Sequence, residues 1–353
     1  MGVENGACSV VVGEKCSSCG NRPGLRLHAI KDHNSGEVGV RYLLVPTMAV
    51  LALTPSALAQ TPARADPPVI VRTVTASDDW VSIPIQIDGS GPWNFIVDTG
   101  SQRTVISRDL AERLALPTRR SVTIVSMAGR SETRTVAIPR LNYGETTVEN
   151  IEAPVLEADN LGASGLLGLD SLHAKRLLLN FRTGRIEIGA SRPKWRDPDA
   201  IIVEARRRKG QLILLHSDAN GLKVNIILDT GTHLSVGNLA LRDKLIARKR
   251  APLMREVSLL SVTGETLTGQ LGRIGRLRMG PIMLTDLPVM FADAQPFREL
   301  DLQNKPTLLL GIQALKMFDR VAIDFGRGKV DFLMPDASAL ERQRFAATPG
   351  KTG

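Results

Sequence analysis

The chain has 353 residues, of which 43% are hydrophobic and 23% charged, and this composition excludes a disordered or fibrous protein. Its formal net charge is +9, but only 4% of residues are aromatic and no nucleic-acid-binding motif is recognisable. We therefore predict a solvated basic surface and no nucleic-acid partner. All three cysteines precede residue 40, which excludes disulfide bonds and thiol chemistry from the rest of the chain.

One candidate metal site lies in this N-terminal part. Cys16 and Cys19 are followed by His28 and His33, and these residue types bind zinc. The two pairs are too close together for a zinc finger, and no β-hairpin pattern surrounds them. The later histidines also lack the spacing of a zinc hydrolase. We therefore predict that the protein uses no metal and no cofactor.

Residues 40–59 have the pattern of a secretory signal peptide. Arg41 precedes an apolar run from 42 to 53, and Ala-Leu-Ala ends at Ala59, where cleavage is expected. The run contains Pro46 and is short for a membrane span, although an uncleaved N-terminal anchor is the alternative. We predict a periplasmic or secreted protein that contacts a membrane only if this segment is uncleaved. Residues 1–39 form an N-terminal extension, which we interpret as a translation start assigned too far upstream.

The first half of the remaining chain predicts short strands, one helix and a protruding hairpin. Residues 60–68 are rich in Pro and Ala, which predicts a flexible leader. We then predict strands at 69–74, 80–87 and up to Asp98, a helix at 108–115 capped by Ser107, a hairpin of 122–127 and 132–138, and strands at 141–155, 177–181 and 185–188. A polar, Pro-containing segment at 191–200 predicts a linker.

The second half repeats this order. Residues 225–232 (NIILDTGT) echo residues 94–101 (NFIVDTGS), so in each half an apolar strand ends in Asp-Thr-Gly and a hydroxyl residue. The elements that follow also correspond: Asn238 with a helix to 247, a hairpin of 257–262 and 266–271, and Leu-Leu-Gly at 309–311 as at 166–168. The main insertion, predicted as a loop, is 294–306. A carboxylate that ends a buried strand is costly unless it is paired or in use, so we infer that Asp98 and Asp229 meet.

Asp-Thr-Gly at a strand end, then a hairpin, then Leu-Leu-Gly: this pattern resembles the retropepsin-like aspartic proteases, in the bacterial secreted form with two fused retropepsin-like halves. Neither hairpin has the Tyr of the pepsin flap, which separates the chain from true pepsins. The resemblance implies an all-β fold with short helices, built as two homologous pepsin/retropepsin-like β-barrel lobes with a cleft between them. The lobes would be 69–190 and 201–334, followed by a polar tail at 335–353.

The resemblance assigns a role to each residue of the two Asp-Thr-Gly segments. Asp98 and Asp229 would be the catalytic dyad. Thr99 and Thr230 would exchange hydrogen bonds across the lobes, Gly100 and Gly231 would let the backbone pass close to the carboxylates, and Ser101 and Thr232 would donate to the outer carboxylate oxygens. The flap tips that would cover the substrate are Met127, Ala128, Gly129, Val262, Thr263 and Gly264.

This set of residues predicts a particular chemistry. Two adjacent carboxyls cannot both ionise, so they share one proton, and one serves as acid while the other activates water. We predict an aspartic endopeptidase that acts on a peptide or protein substrate of unspecified sequence. Its pH optimum should be acidic, because the hydroxyls of Ser101 and Thr232 would stabilise the ionised carboxylates. We interpret His233, which follows Thr232, as a solvated loop histidine.

Two alternatives stay open at this point. A relative that retains both aspartates without activity would be a peptide-binding protein of the cell envelope. In the other alternative, like halves of two chains pair in an obligate dimer with two sites. The insertion at 294–306 makes the halves unequal, which favours a monomer with two lobes.

Overall fold

The computed structural model describes residues 9–11, 26–29, 69–72, 80–172, 175–191, 198–248 and 253–335. The predicted signal peptide, the leader at 60–68 and the tail after 335 lie outside the described residues, as do most of the N-terminal extension and Cys16, Cys19 and His33. Among the helices that are described, none is long and apolar enough to cross a membrane.

The described part of the chain is mostly β, with a few short helices, which confirms the predicted fold class. The helices are α1 (Arg108–Arg113), α2 (Ala158–Leu161), α3 (Leu169–Leu172), α4 (Leu239–Ala247), α5 (Gln295–Glu299) and α6 (Ile312–Leu315). The strands are β1 (Ser9–Val11), β2 (Arg26–Ala29), β3 (Val69–Arg72), β4 (Ser82–Ile87), β5 (Ser90–Val97), β6 (Val105–Ser107), β7 (Thr118–Val125), β8 (Arg130–Tyr143), β9 (Thr146–Leu156), β10 (Gly165–Leu167), β11 (Lys175–Asn180), β12 (Arg185–Ala190), β13 (Ile201–Arg208), β14 (Gln211–Leu214), β15 (Ser217–Ala219), β16 (Leu222–Lys223), β17 (Asn225–Leu228), β18 (Ser235–Gly237), β19 (Leu253–Leu260), β20 (Thr266–Met279), β21 (Ile282–Phe291), β22 (Thr307–Leu310), β23 (Arg320–Asp324) and β24 (Lys329–Leu333).

Each half of the repeat forms a barrel of strands. In the first half the ring runs β4–β5–β10–β6–β9–β8 and returns to β4, while β7 pairs with β8 outside it. In the second half the pairing order is β17–β22–β18–β21–β20–β15, and β14, the strand that precedes β15, pairs with β17. Alternate residues point inward, as Ile83, Ile85 and Ile87 show by their nearly complete burial. The chain therefore forms two barrel lobes.

An antiparallel sheet of six strands joins the two lobes, and β13 makes it continuous with the second barrel. Its strand order is β3–β12–β11–β23–β24–β13, and its central pair brings β11 of the first half against β23 of the second. Leu177 and Leu179 on β11 face Ile323 and Val321 on β23, and all four side chains are buried. The lobes are thus held together by backbone hydrogen bonds and by a shared apolar core.

Both predicted helix caps are present. The side chain of Ser107 accepts a hydrogen bond from the backbone N–H of Leu110, and that of Asn238 accepts one from Leu241. Each cap satisfies a backbone donor at the start of its helix. α1 nevertheless ends at Arg113, two residues before the predicted end, and Ala115 adopts a positive φ of 48°.

The structure contains elements that the sequence did not predict. β13 includes Arg206, Arg207 and Arg208, which look like a solvated charge cluster in sequence, but in the structure this strand connects β14 to β24. β21 contains Asp286 and Pro288, two residue types that disfavour strands, and it still pairs with β20 along most of its length. The predicted loop at 294–306 contains α5. In these segments tertiary pairing overrides the local residue preferences.

Candidate active site

The two Asp-Thr-Gly segments begin where equivalent strand pairs end. β5 runs parallel to β10, and β17 runs parallel to β22, so each Leu-Leu-Gly segment lies beside the strand that leads to an aspartate. The backbone N–H of Asp98 donates to the carbonyl of Leu167 at 3.0 Å, and that of Asp229 donates to the carbonyl of Leu310 at 3.1 Å. The backbone of each aspartate is therefore held in place at the end of a buried pair of parallel strands.

The two threonines exchange hydrogen bonds between the lobes. Thr99 N–H donates to Thr230 Oγ1 at 3.0 Å, and Thr230 N–H donates to Thr99 Oγ1 at 3.1 Å. Each hydroxyl then donates to the opposite strand, Thr99 Oγ1 to the carbonyl of Leu228 at 3.0 Å and Thr230 Oγ1 to that of Val97 at 2.6 Å. This reciprocal, buried network fixes the two Asp-Thr-Gly segments against each other.

The glycines bring each carboxyl against the opposite segment. A β-carbon added at Gly231 would lie 2.3 Å from Cγ of Asp98, and one added at Gly100 would lie 2.5 Å from Oδ1 of Asp229. Both distances are far below van der Waals contact, so a side chain cannot be accommodated at either position. The side chains of Asp98 and Asp229, which are distant in sequence, therefore lie together at the junction of the lobes.

The two carboxyls have different hydrogen-bond donors. Oδ1 of Asp98 accepts from the backbone N–H groups of Gly100 and Ser101 at 2.8 and 3.0 Å. Asp229 accepts from the N–H of Gly231 at 2.9 Å and from Thr232 Oγ1 at 2.8 Å. The expectation for Ser101 differs from the structure, because its hydroxyl donates to the carbonyl of Arg103 at 2.8 Å instead. Only Asp229 therefore has the expected hydroxyl donor.

Burial and mutual repulsion shift the protonation of both groups. Asp98 and Asp229 are only 9% and 6% exposed. Burial raises the pKa of Asp98 most, and the negative charge of Asp229 raises it further, to about 7. The two N–H donors act in the opposite direction and lower it. Burial also raises the pKa of Asp229, which the hydrogen bond from Thr232 opposes. Such a pair retains a proton well above the usual range of a carboxyl.

Two hairpins lie beside the carboxyls. Met127 in the β7–β8 hairpin and Val262 in the β19–β20 hairpin line the same cavity as both aspartates, whereas Gly129 and Gly264 do not line it. The tips also approach each other, since a β-carbon at Gly129 would lie 3.0 Å from Glu265 Oε2. Ala128 and Thr263 belong to the same two turns.

The cavity beside the two carboxyls measures about 120 Å³, and both aspartates, Met127 and Val262 line it. Ligand sites in proteins usually measure about 300–1,000 Å³, so this volume admits a few waters but not a peptide. A second cavity of about 310 Å³ adjoins it beneath β7 and shares Gly100 and Ser101 in its lining. With the flaps in this position the space beside the carboxyls is therefore too small for a peptide, although both cavities are partly open to solvent.

Sequence reasoning missed several residues that line these cavities. Pro296 and Leu300, in and beside α5, contribute to both, because the insertion folds back over the site instead of extending into solvent. The N–H of Gln295 donates to the carbonyl of Met127 at 3.2 Å, and Glu299 forms an ion pair with Arg130. The insertion can be recognised in the sequence because the two halves differ in length. The sequence does not indicate where the insertion lies in the fold.

The region around the site contains one aromatic contact that the sequence did not predict. The ring of His233 lies 6.3 Å from that of Trp80 in an edge-on arrangement, and His233 is half-buried, so it is not the solvated loop residue that we expected. Within the described ranges, no three His, Cys, Asp or Glu side chains form a group that could hold a metal ion.

Comparison with known proteins adds one independent observation. A family model described as aspartyl protease matches the chain twice, at residues 83–171 and at residues 216–314. The two matches together cover more than half of the chain, and each includes one Asp-Thr-Gly segment, one flap and one Leu-Leu-Gly segment. No curated protein matches the chain significantly.

Proposed function

Because the chain belongs to the aspartyl protease family, we propose that it is an endopeptidase in which Asp98 and Asp229 together activate a water molecule against a peptide bond. The observation that carries this proposal is the reciprocal approach of each carboxyl to the glycine of the opposite segment. Two buried carboxyls in contact are expensive to retain unless the pair is in use. Family membership supports a protease, and this geometry supports these two residues as its catalytic groups.

The proposed reaction uses one proton that the two carboxyls share. The ionised carboxylate takes a proton from a water molecule in the cavity, while the protonated carboxyl donates to the carbonyl oxygen of the scissile bond. The Asp229 carboxylate is the better base candidate, because the hydroxyl of Thr232 stabilises its ionised form. Asp98, whose pKa is raised to about 7, is the candidate acid.

This assignment modifies the expected pH dependence. The proton on Asp98 is retained up to a pH of about 7, so activity should extend from acidic pH towards neutrality and fall above it. The acidic optimum predicted from the sequence assumed a hydroxyl donor on each carboxyl, and Ser101 does not supply one.

The substrate that best fits the site is an extended peptide with apolar side chains beside the scissile bond. Val105, Ile124, Leu300 and Leu309 are among the apolar residues that line the cavity next to the carboxyls. The flap hairpins offer strand-like backbone groups to such a peptide. We further propose that the protein acts as a two-lobed monomer, exported through a signal peptide at residues 40–59, with the lobe boundaries given by the sequence.

Cleavage of a peptide library by the purified protein, over a range of pH, tests the proposed activity. Asp98→Asn and Asp229→Asn should each lose activity by several orders of magnitude while circular dichroism shows an intact fold. Asp109→Asn, at an exposed position on α1, serves as the matched control and should cleave like the wild type. Peptide binding without cleavage by the wild type would instead identify a peptide-binding protein.

A further inference from the structure

A buried glutamine supports the first Asp-Thr-Gly segment from the opposite lobe. Gln211 is the first residue of β14, it is only 5% exposed, and it lines both cavities. Its Nε2 donates to the carbonyl oxygen of Gly100 at 2.9 Å. A buried side-chain amide that donates a hydrogen bond to the backbone of the other lobe fixes the relative position of the two lobes at this point.

This carbonyl belongs to the peptide group that stabilises Asp98. The C=O of Gly100 and the N–H of Ser101 are the two ends of one planar peptide unit. The N–H end donates to Asp98 Oδ1 at 3.0 Å while the C=O end accepts from Gln211. A hydrogen bond at one end therefore restrains the direction of the other end and also polarises it, which strengthens the donor that faces Asp98.

The second half of the chain uses a different arrangement. Trp80 precedes Asp98 by the same number of residues as Gln211 precedes Asp229, and its ring packs against His233, which follows Thr232. The same position in each half thus reaches the opposite Asp-Thr-Gly segment. Besides the N–H of Gly231, Asp229 has the Thr232 hydroxyl as donor, whereas besides the N–H of Gly100, Asp98 has the peptide group that Gln211 holds.

We propose that Gln211 is a positioning residue, which orients the Gly100–Ser101 peptide towards Asp98 and thereby sets the protonation balance of the dyad. The inference rests on the proposed function but adds a residue outside the Asp-Thr-Gly segments. Asp229 is the charged group that acts on Asp98, and Arg103 and Glu299 face the adjoining cavity.

Two substitutions of Gln211 should shift the alkaline limb of the pH profile in the same direction. Gln211→Met keeps the length of the side chain but removes the donor, so kcat should fall about five- to tenfold with little change in KM. The freed peptide would stabilise ionised Asp98 less well, and the alkaline limb of the profile should move to higher pH. In Gln211→Glu only the protonated carboxyl donates to Gly100; its ionised form loses the donor and adds a negative charge, so the alkaline limb should again move to higher pH.

A measurement that needs no activity separates this inference from the proposed function. In protein labelled with carbon-13 at the Asp carboxyls, Gln211→Met should raise the pKa of Asp98, and Gln86→Met, at an exposed position on β4, should leave it unchanged. If Asp98→Asn cleaves peptides like the wild type, the proposed function fails while this titration still tests Gln211. Unchanged titration of Asp98 and an unchanged pH profile in Gln211→Met would refute the inference. If Gln211→Met does not fold, the pH profile of Gln211→Glu alone tests the inference, and an unchanged alkaline limb in that variant would refute it.

Discussion

At the scale of single residues, the two halves of the site are related in sequence but not equivalent in structure. Ser101 and Thr232 occupy the same position of the repeat, yet only the hydroxyl of Thr232 reaches a carboxylate, because that of Ser101 bonds to Arg103. Hydroxyl residues support several rotamers, and the local backbone selects among them. The sequence therefore identified the residue types correctly but not the asymmetry between them.

This asymmetry predicts unequal effects of removing the two hydroxyls. Thr232→Val should raise the pKa of Asp229, because a donor to its ionised form is lost. The lower apparent pKa of the dyad should then rise, and the acidic limb of kcat/KM should move to higher pH. Ser101→Ala is the matched comparison and should leave that limb in place. Equal shifts in the two variants, or a shift in Ser101→Ala alone, would contradict the arrangement.

The sequence predicted the reciprocal bonds of Thr99 and Thr230 and the close approach at Gly100 and Gly231 from family resemblance, and the structure contains both. It did not single out Gln211. A lone glutamine at the start of a strand carries no pattern, and its partner Gly100 belongs to the other lobe. Contacts between distant parts of the chain have no local signal.

At the scale of elements, the flaps and α5 decide access to the site. The sequence predicted the first hairpin from its alternating pattern and the second from the repeat, and it marked 294–306 as an insertion. The docking of α5 onto the first flap depends on contacts that only the fold creates, namely the bond from Gln295 to Met127 and the pair of Arg130 with Glu299. The ion pair is solvent-exposed, so its contribution to flap closure is small.

Joining the two flap tips should block the site. Gly129→Cys combined with Glu265→Cys places thiols on neighbouring tips, and the chain has no cysteine after Cys19. A short bifunctional maleimide should cross-link the pair and abolish cleavage, because the cavity of about 120 Å³ is too small for a peptide while the flaps are held in this position. Each single-cysteine variant, treated in the same way, should remain active. Full activity of the cross-linked protein would show that substrate enters by another route.

At the scale of the whole molecule, the carboxyls of Asp98 and Asp229 belong to the same chain and lie where its two lobes meet. The central pairing of β11 with β23 and the exchange between Thr99 and Thr230 join the two halves of the same polypeptide. This arrangement favours the proposed monomer over a dimer of like halves. In such a dimer Asp98→Asn would keep an intact Asp229 pair and would remain active, so the loss of activity expected for each single variant also distinguishes the two assemblies.

The repeat made the two-lobed architecture predictable, since two copies of one pattern imply two copies of one fold. The six-stranded sheet between the lobes was less accessible to sequence reasoning. The strands of this sheet come from the ends of both halves. β13 was not predicted, because its basic residues give it the composition of a solvated segment. Pairing between strands so distant in sequence is set by the closure of the two barrels.

The most direct test of the account is a carboxyl titration of Asp98 by carbon-13 NMR in the wild type and in Asp229→Asn. Asp98 should titrate near pH 7 in the wild type, because burial and the charge of Asp229 both raise its pKa. Without the second carboxylate the repulsion is lost, so its pKa should fall clearly in the variant. A titration of Asp98 that is the same in both proteins would contradict the claim that the two carboxyls form one dyad.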